Sequence, residues 1–460
     1  MKKHTSFSQQ NGVKSVGAFA ITSHKVIGQQ AFSPIAKKTG WAHSRDMKQG
    51  KSHKSDSMNL PIPLWEFVTM MAAIFGLQAL GIDVMLPALE IISNDYQVAN
   101  SNDQQLIIFA FVLGFGFPQL VFGPISDRFG RKILLQMSLI GYIITSFLCM
   151  VAPSFTTLLL FRFMQGITCA GTRVSAGAII RDVSQGRAMA SILSLVYTVF
   201  MIVPIIAPAI GTLIMVFLPW EWIFGVLALF STFVMIWISF RLPLTLSKEN
   251  QRAINLSNII DGFRTVLTTR VSFGYMCASG VIFGCLFAFI GASEQIFDEV
   301  FGRGDKFWIW FAGIASVLAI MNFSNSRAVE RLGMRRISHG VVLVFILLSL
   351  ANLLWMHFMG PDFWVFYILF ALTFGCFGMM GANFASLALE PMGRVAGTAN
   401  AVYGFATATV SSVLGIMAAR AFDGTVRPLL FAFVLLGVSS LIIIVITERG
   451  KLFGVGEGKA

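Results

Sequence analysis

From about residue 62 onward, apolar runs of roughly twenty residues recur, separated by short polar segments rich in arginine. A helix of about 20 residues crosses the ~30 Å hydrocarbon core of a bilayer. The runs predict twelve such helices, at 64–88, 104–122, 133–152, 157–178, 190–216, 222–241, 272–295, 305–323, 337–357, 363–388, 398–420 and 427–447. The longest connection between them, 242–271, falls in the middle and carries a weakly amphipathic stretch from Asn258 to Thr269. The expected fold is therefore all-α, with a first six-helix bundle over 61–241, a cytosolic central loop over 242–271 and a second bundle over 272–447. The polar, basic segment 1–60 lacks the apolar core of a secretory leader and reads as a disordered cytosolic tail. Met58, directly before the first span, is a second candidate start, and 448–460 forms a short cytosolic tail.

Composition agrees. Of 460 residues, 56% are hydrophobic and 12% charged, more apolar surface than a soluble chain of this length can hide. The net charge of +12 raises the question of nucleic acid, but its placement answers it. Of the 34 Lys and Arg, only Arg303, Lys306, Arg420 and Arg427 lie in loops after odd-numbered spans. Arg162 and Arg173 lie inside a span, and all the others fall after even spans or in the tails. That bias puts both termini in the cytoplasm, with the cations attracting anionic lipid rather than nucleic acid. The 5 cysteines have no CxxC spacing, the 6 histidines are scattered, and no phosphate-cradling Gly-x-x-x-x-Gly-Lys-Ser/Thr loop occurs. No metal, cofactor or built-in ATPase is expected.

Between spans two and three the chain reads Gly123-Pro124-Ile125-Ser126-Asp127-Arg128-Phe129-Gly130-Arg131-Lys132. The pattern returns between spans eight and nine as Glu330-Arg331-Leu332-Gly333-Met334-Arg335-Arg336. Two similar halves of several helices fit a transporter, in which one bundle rocks against the other. The loop resembles the signature of the major facilitator superfamily and, within it, of the Bcr/CflA-type drug-resistance transporters. Supporting segments are Arg162-Phe163-Met164-Gln165-Gly166, Arg181-Asp182 at the end of span four, Pro204, Pro208 and Gly211 in span five, and Ala396-Gly397-Thr398-Ala399 at the start of span eleven. The resemblance implies a proton-driven exporter of small organic molecules in a bacterial inner membrane, acting as a monomer. It further implies that Asp127 caps span eleven near Thr398 and that Arg131 pairs with Asp182. Together with Gly123, Arg128, Gly130, Lys132 and the counterparts Glu330 and Arg331, these would form a latch present when the inner side is closed. The Pro/Gly residues of span five would let it bend. Arg173 departs from the family pattern, which favours small or apolar residues there.

An ionisable group inside the hydrocarbon costs at least about 2.5–3.5 kcal/mol, so it normally faces a cavity or a partner. Asp83, in span one, shares a face with Gly76, Ala79 and Pro87 and is the leading candidate for binding the coupling proton. Arg162, at similar depth in span four, is a fixed cation suited either to pair with Asp83 or to hold a polar substrate group. Gln165 lies one turn on. Like Gln78, Gln119, Asn322 and Asn383, it also fits hydrogen bonding between helices. Arg173 stands about 20° off the face of Arg162 and ~16 Å further inward. It lines the same stripe or snorkels to the inner headgroups. Glu294 ends span seven as an outer rim residue. The rival functions are import or exchange of a metabolite on the same fold and, in another class, a membrane enzyme or receptor. No cluster of His, Asp and Cys near one bilayer face and no soluble output domain favours that second class.

Overall fold

The computed structural model describes residues 62–184, 186–244 and 256–454. The tail expected at 1–60 and parts of the central and C-terminal segments lie outside these residues. The described residues are helical, with no strand among them. Ten helices are long and apolar enough to cross a membrane, and an eleventh span is a bent pair, Ser101–Gly116 and Gln119–Phe129, meeting at 46°. The twelfth, Phe155–Val183, has 29 residues and is interrupted in composition by Arg162 and Arg173. These are the twelve expected spans.

The largest bend lies in span two at Pro118, where the ring removes a backbone donor and crowds the preceding turn. Span five stays continuous enough over Ser191–Phe217 to count as one helix. Its ladder breaks only at Met201, between Gly186–Phe200 and Ile202–Phe217, where Pro204 has no N–H to return. Pro208 sits inside the second segment, so the motif produces a local break and no sharp bend.

Several helices run past the predicted ends. Span one continues through short turns to Asp95, span four to Val183 and span eight to Leu332. The expected cytosolic loops therefore shrink to almost nothing. Asp127 and Arg128 lie in the last helical turn of span two, Glu330 and Arg331 in that of span eight. One glycine makes each turn, Gly130 with φ +99° and Gly333 with φ +81°. Only glycine takes that backbone readily, which is why the repeat keeps it.

In the first half span four packs on spans two and three, and span three on span six. In the second, span seven packs on spans ten, eleven and twelve, and span ten on spans eight and nine. The halves meet where span two packs on span eleven and where the outer part of span five, Ile202–Phe217, packs on span eight. The inner part of span five, Gly186–Phe200, packs instead on spans one and four. Glu66, at the inner start of span one, is gripped by both Nε and Nη2 of Arg241 at 2.7 Å, which ties span one to the end of span six. The amphipathic stretch of the central loop is a helix, Leu256–Thr268, packed on spans seven and eleven with Val266 buried against Met276, Ala399 and Val402.

Candidate transport site and gates

Spans two and four approach closely because Gly114 and Gly166 have no side chain. A Cβ on either would run into a backbone carbonyl of the facing helix, Phe163 or Phe111. This contact brings the fully buried Arg162 within reach of three helices. Its Nε donates to the Ile107 carbonyl at 3.1 Å, Nη1 to Gln165 Oε1 at 2.6 Å and Nη2 to the Gly81 carbonyl at 2.8 Å. The guanidinium lies 4.7 Å from the centre of the Phe111 ring. Gln165, also fully buried, donates onward to Ser146 Oγ at 2.7 Å. Arg162 and Gln165 thus stitch spans one to four together in a packed seam and do not stand on an open wall in this state. The ion pair considered between Arg162 and Asp83 is not made. Backbone and amide oxygens take the guanidinium's bonds, although it rests against span one two residues before Asp83.

Asp83 ends the helix Leu64–Asp83 and is 5% exposed. Among the described residues its carboxylate has no hydrogen bond and no ion pair. The span runs on through short turns to Asp95, twelve residues past Asp83.

Arg173 does not snorkel. Its guanidinium carbon lies 3.9 Å from the centre of the Phe75 ring, 5.7 Å from Tyr197 and 5.8 Å from Phe200. Phe75 and Tyr197 are each about 16 Å from the inner ends of spans one and five, so the cation stays at depth. Nη2 reaches Tyr197 Oη at 3.4 Å, and Nη1 is buried with no hydrogen-bond partner.

The outer end is closed by a polar segment that the sequence reading passed over. Asn102 Nδ2 donates to the carbonyls of Arg420 and Phe422 at 3.1 and 2.9 Å. Gln105 Nε2 donates to Gln295 Oε1 at 2.7 Å and to the Ala419 carbonyl at 3.2 Å. Asp103 pairs with Arg420 at 2.6 Å, and Gln104 donates to Glu294 at 3.4 Å. Among the described residues, every hydrogen bond and ion pair between the halves lies at this end. The signal was available: Asn100 to Gln105 is a polar run without a cation just before an apolar span. Glu294 belongs to this gate, with Glu90 and Asp298 beside it. Gln105→Ala removes two cross-half bonds, worth about 1 kcal/mol each, so the closed outer end should lose roughly tenfold or more in relative population. A cysteine in place of Ala292, in a cysteine-free background, should then label faster with an impermeant maleimide from outside. Unchanged labelling would show that Gln105 does not hold the gate.

At the opposite end Arg131 Nη1 meets Asp127 Oδ1 at 2.6 Å and Arg131 Nε meets Asp182 Oδ2 at 2.6 Å. Lys132 Nζ bonds the carbonyls of Ser239 and Leu242 at the end of span six. Asp127 is half-exposed and, among the described residues, makes no bond to span eleven, and no described atom lies within 4 Å of where a Cβ of Gly123 would stand. The Arg131–Asp182 pair therefore exists here without a described bond from Asp127 to span eleven. Arg131, Asp127 and Asp182 all belong to the first half, so a rigid-body rotation of one half against the other leaves these pairs together, whatever the state of the inner side. In the second half Glu330 and Arg331 are exposed. The clamp there is built by Arg335, which reaches Glu390 and Glu448 at 3.1 Å each, and the sequence reading did not single it out. Tyr275 Oη donates to the same Glu448 at 2.8 Å.

A protein-family model described as the Major Facilitator Superfamily matches residues 71–416. The chain belongs to that superfamily. A bicyclomycin resistance protein homolog of Haemophilus influenzae is 29% identical over 81% of this chain and 94% of the relative. Multidrug resistance protein MdtL of Salmonella dublin is 30% identical over 78% and 91%. Both match the Bcr/CflA-type resemblance read from the motifs. Among solved structures, a bacterial homolog of the human lysosomal transporter Spinster, inward-facing and unoccupied, superposes with a TM-score of 0.62 at 15% identity, covering 84% of this chain and 96% of that one. A D-xylose–proton symporter gives 0.62 at 12% identity, covering 82% and 95%. These two share the fold.

Proposed function

We propose that this chain is a proton-driven exporter of drugs or other small organic molecules, working by alternating access in a bacterial inner membrane with both termini cytoplasmic. The observation that carries the reading is Asp83, a carboxylate buried in span one that makes no ion pair among the described residues. Such a group is costly to charge in place, so it suits a carrier that holds a proton while enclosed and releases it when its surroundings become polar. The resistance names borne by the relatives support the direction of transport and the drug class. Arg162 and Gln165 act as positioning residues that hold span one beside Asp83. The bonds between the halves at the outer end, with none at the inner end among the described residues, support reading this state as the one open to the cytoplasm.

The test is transport in proteoliposomes of known orientation under an imposed proton gradient. Accumulation against the gradient's direction, lost when a protonophore collapses it, is expected. Substrate movement with the proton gradient, or no response to it, would replace export by import or exchange.

Switching is assigned to the inner clamp. Asp127→Asn weakens the pair with Arg131 and removes the group proposed to cap span eleven once the inner side closes. It should lower turnover and increase labelling of inner-cavity cysteines while ligand affinity changes less than about threefold. A variant with wild-type accessibility on both sides but lost ligand binding would refute that role.

A further inference from the structure

We propose that Arg173 and its ring cage form the anion-binding part of the substrate site, selecting amphipathic aromatic molecules that carry a carboxylate or a similar anionic group. The inference deepens the export reading and rests on it. Four observations converge. Arg173 is a permanent cation well inside the membrane-spanning part of span four. Among the described residues it forms no ion pair, so nothing shown in the protein balances its charge. One of its nitrogens, Nη1, is buried and lacks a hydrogen-bond partner. The guanidinium is held sideways on the faces of Phe75, Tyr197 and Phe200, at a depth where a headgroup does not reach it.

Ring faces steady a cation but supply neither a formal counter-charge nor an in-plane acceptor. A planar carboxylate supplies both, because two of its oxygens match two N–H groups of the guanidinium fork. The rings then become stacking walls for an aromatic body attached to that carboxylate. The cage lies where such a ligand can arrive. Tyr197 is 38% exposed, and it belongs to the inner part of span five, which packs mainly on spans one and four, whereas the outer part packs on span eight. In the proposal, ligand reaches the cage past the exposed side of Tyr197. Asp83 and Arg173 then divide the work: one handles the proton, the other the charge of the cargo.

The test uses naphthalene-2-carboxylate and its neutral amide, naphthalene-2-carboxamide, with the purified full-length protein. Wild type should bind the carboxylate at least ~10-fold more tightly than the amide, read by ligand-induced thermal stabilisation and by competition. Arg173→Gln should erase that preference while amide binding stays within about twofold. Arg173→Lys should recover part of it, since an ammonium keeps the charge but not the fork. Equal binding of acid and amide by wild type overturns the proposal, and so does an undiminished preference in Arg173→Gln. Should Arg173→Gln not fold, the wild-type comparison decides alone. Repeating the titration in phosphatidylcholine and in phosphatidylglycerol vesicles separates cargo from lipid: competition by the anionic lipid at Arg173 would assign the cage to headgroup phosphate and overturn the proposal. The export reading fails separately. Proton-driven export of neutral or cationic compounds without carboxylate selectivity would leave it standing and remove this inference alone.

Discussion

Asp83→Asn should abolish gradient-driven accumulation and leave a folded, membrane-inserted protein. The amide is close to the carboxylic acid in size and cannot exchange a proton, so the change isolates the proton from the packing. Asp83 is 5% exposed and bonded to nothing among the described residues, so removing its ionisation breaks no contact. Gradient-driven transport should fall by roughly a hundredfold or more, to background, as expected when a step loses its proton carrier. Ligand binding in the absence of a gradient should persist. Asp83→Glu, which restores the proton but lengthens the arm, should recover part of the activity. Full accumulation by the Asn variant would end the assignment and turn attention to Glu294 at the outer gate.

Arg162→Ala strikes the fold instead. Three charge-assisted bonds to spans one, two and four are lost, and Gln165 keeps only Ser146 as a partner. Against this stands relief from burying a cation, so the net loss is about 2–4 kcal/mol. It should be read as a lower unfolding midpoint in detergent together with weaker transport. Arg162→Lys should rescue less than half, because one ammonium cannot serve three acceptors set around a planar fork. The distinction from Asp83 is the readout: loss of stability marks Arg162, loss of coupling without loss of stability marks Asp83. An Arg162→Ala protein as stable as wild type would show that the seam is dispensable.

The number of spans and the two halves were legible along the chain, and the cation count gave an expected direction for the loops. Each follows from a local property: about twenty apolar residues bridge a bilayer wherever they occur, and cation counting needs no neighbours. Asp83 and Arg173 also stood out locally, because an ionisable residue inside an apolar run is conspicuous by itself. Partners were not legible. That Arg162 bonds Gly81 and Ile107 rather than Asp83 depends on how closely Gly114 and Gly166 let two helices approach. The ion pairs of Arg335 in the second half were not legible for a related reason. The repeat pointed to Glu330 and Arg331, whereas Arg335 reaches the helix ends carrying Glu390 and Glu448, residues 55 and 113 positions away. The outer gate of Asn102, Asp103, Gln104 and Gln105 looked like an ordinary polar loop until the second half was set against it. A sequence fixes what each segment can do in lipid, because that is a transaction between one segment and its solvent. Which polar groups meet across helices, and which end of the transporter is shut, depends on how whole helices pack against one another, and only the tertiary structure decides it.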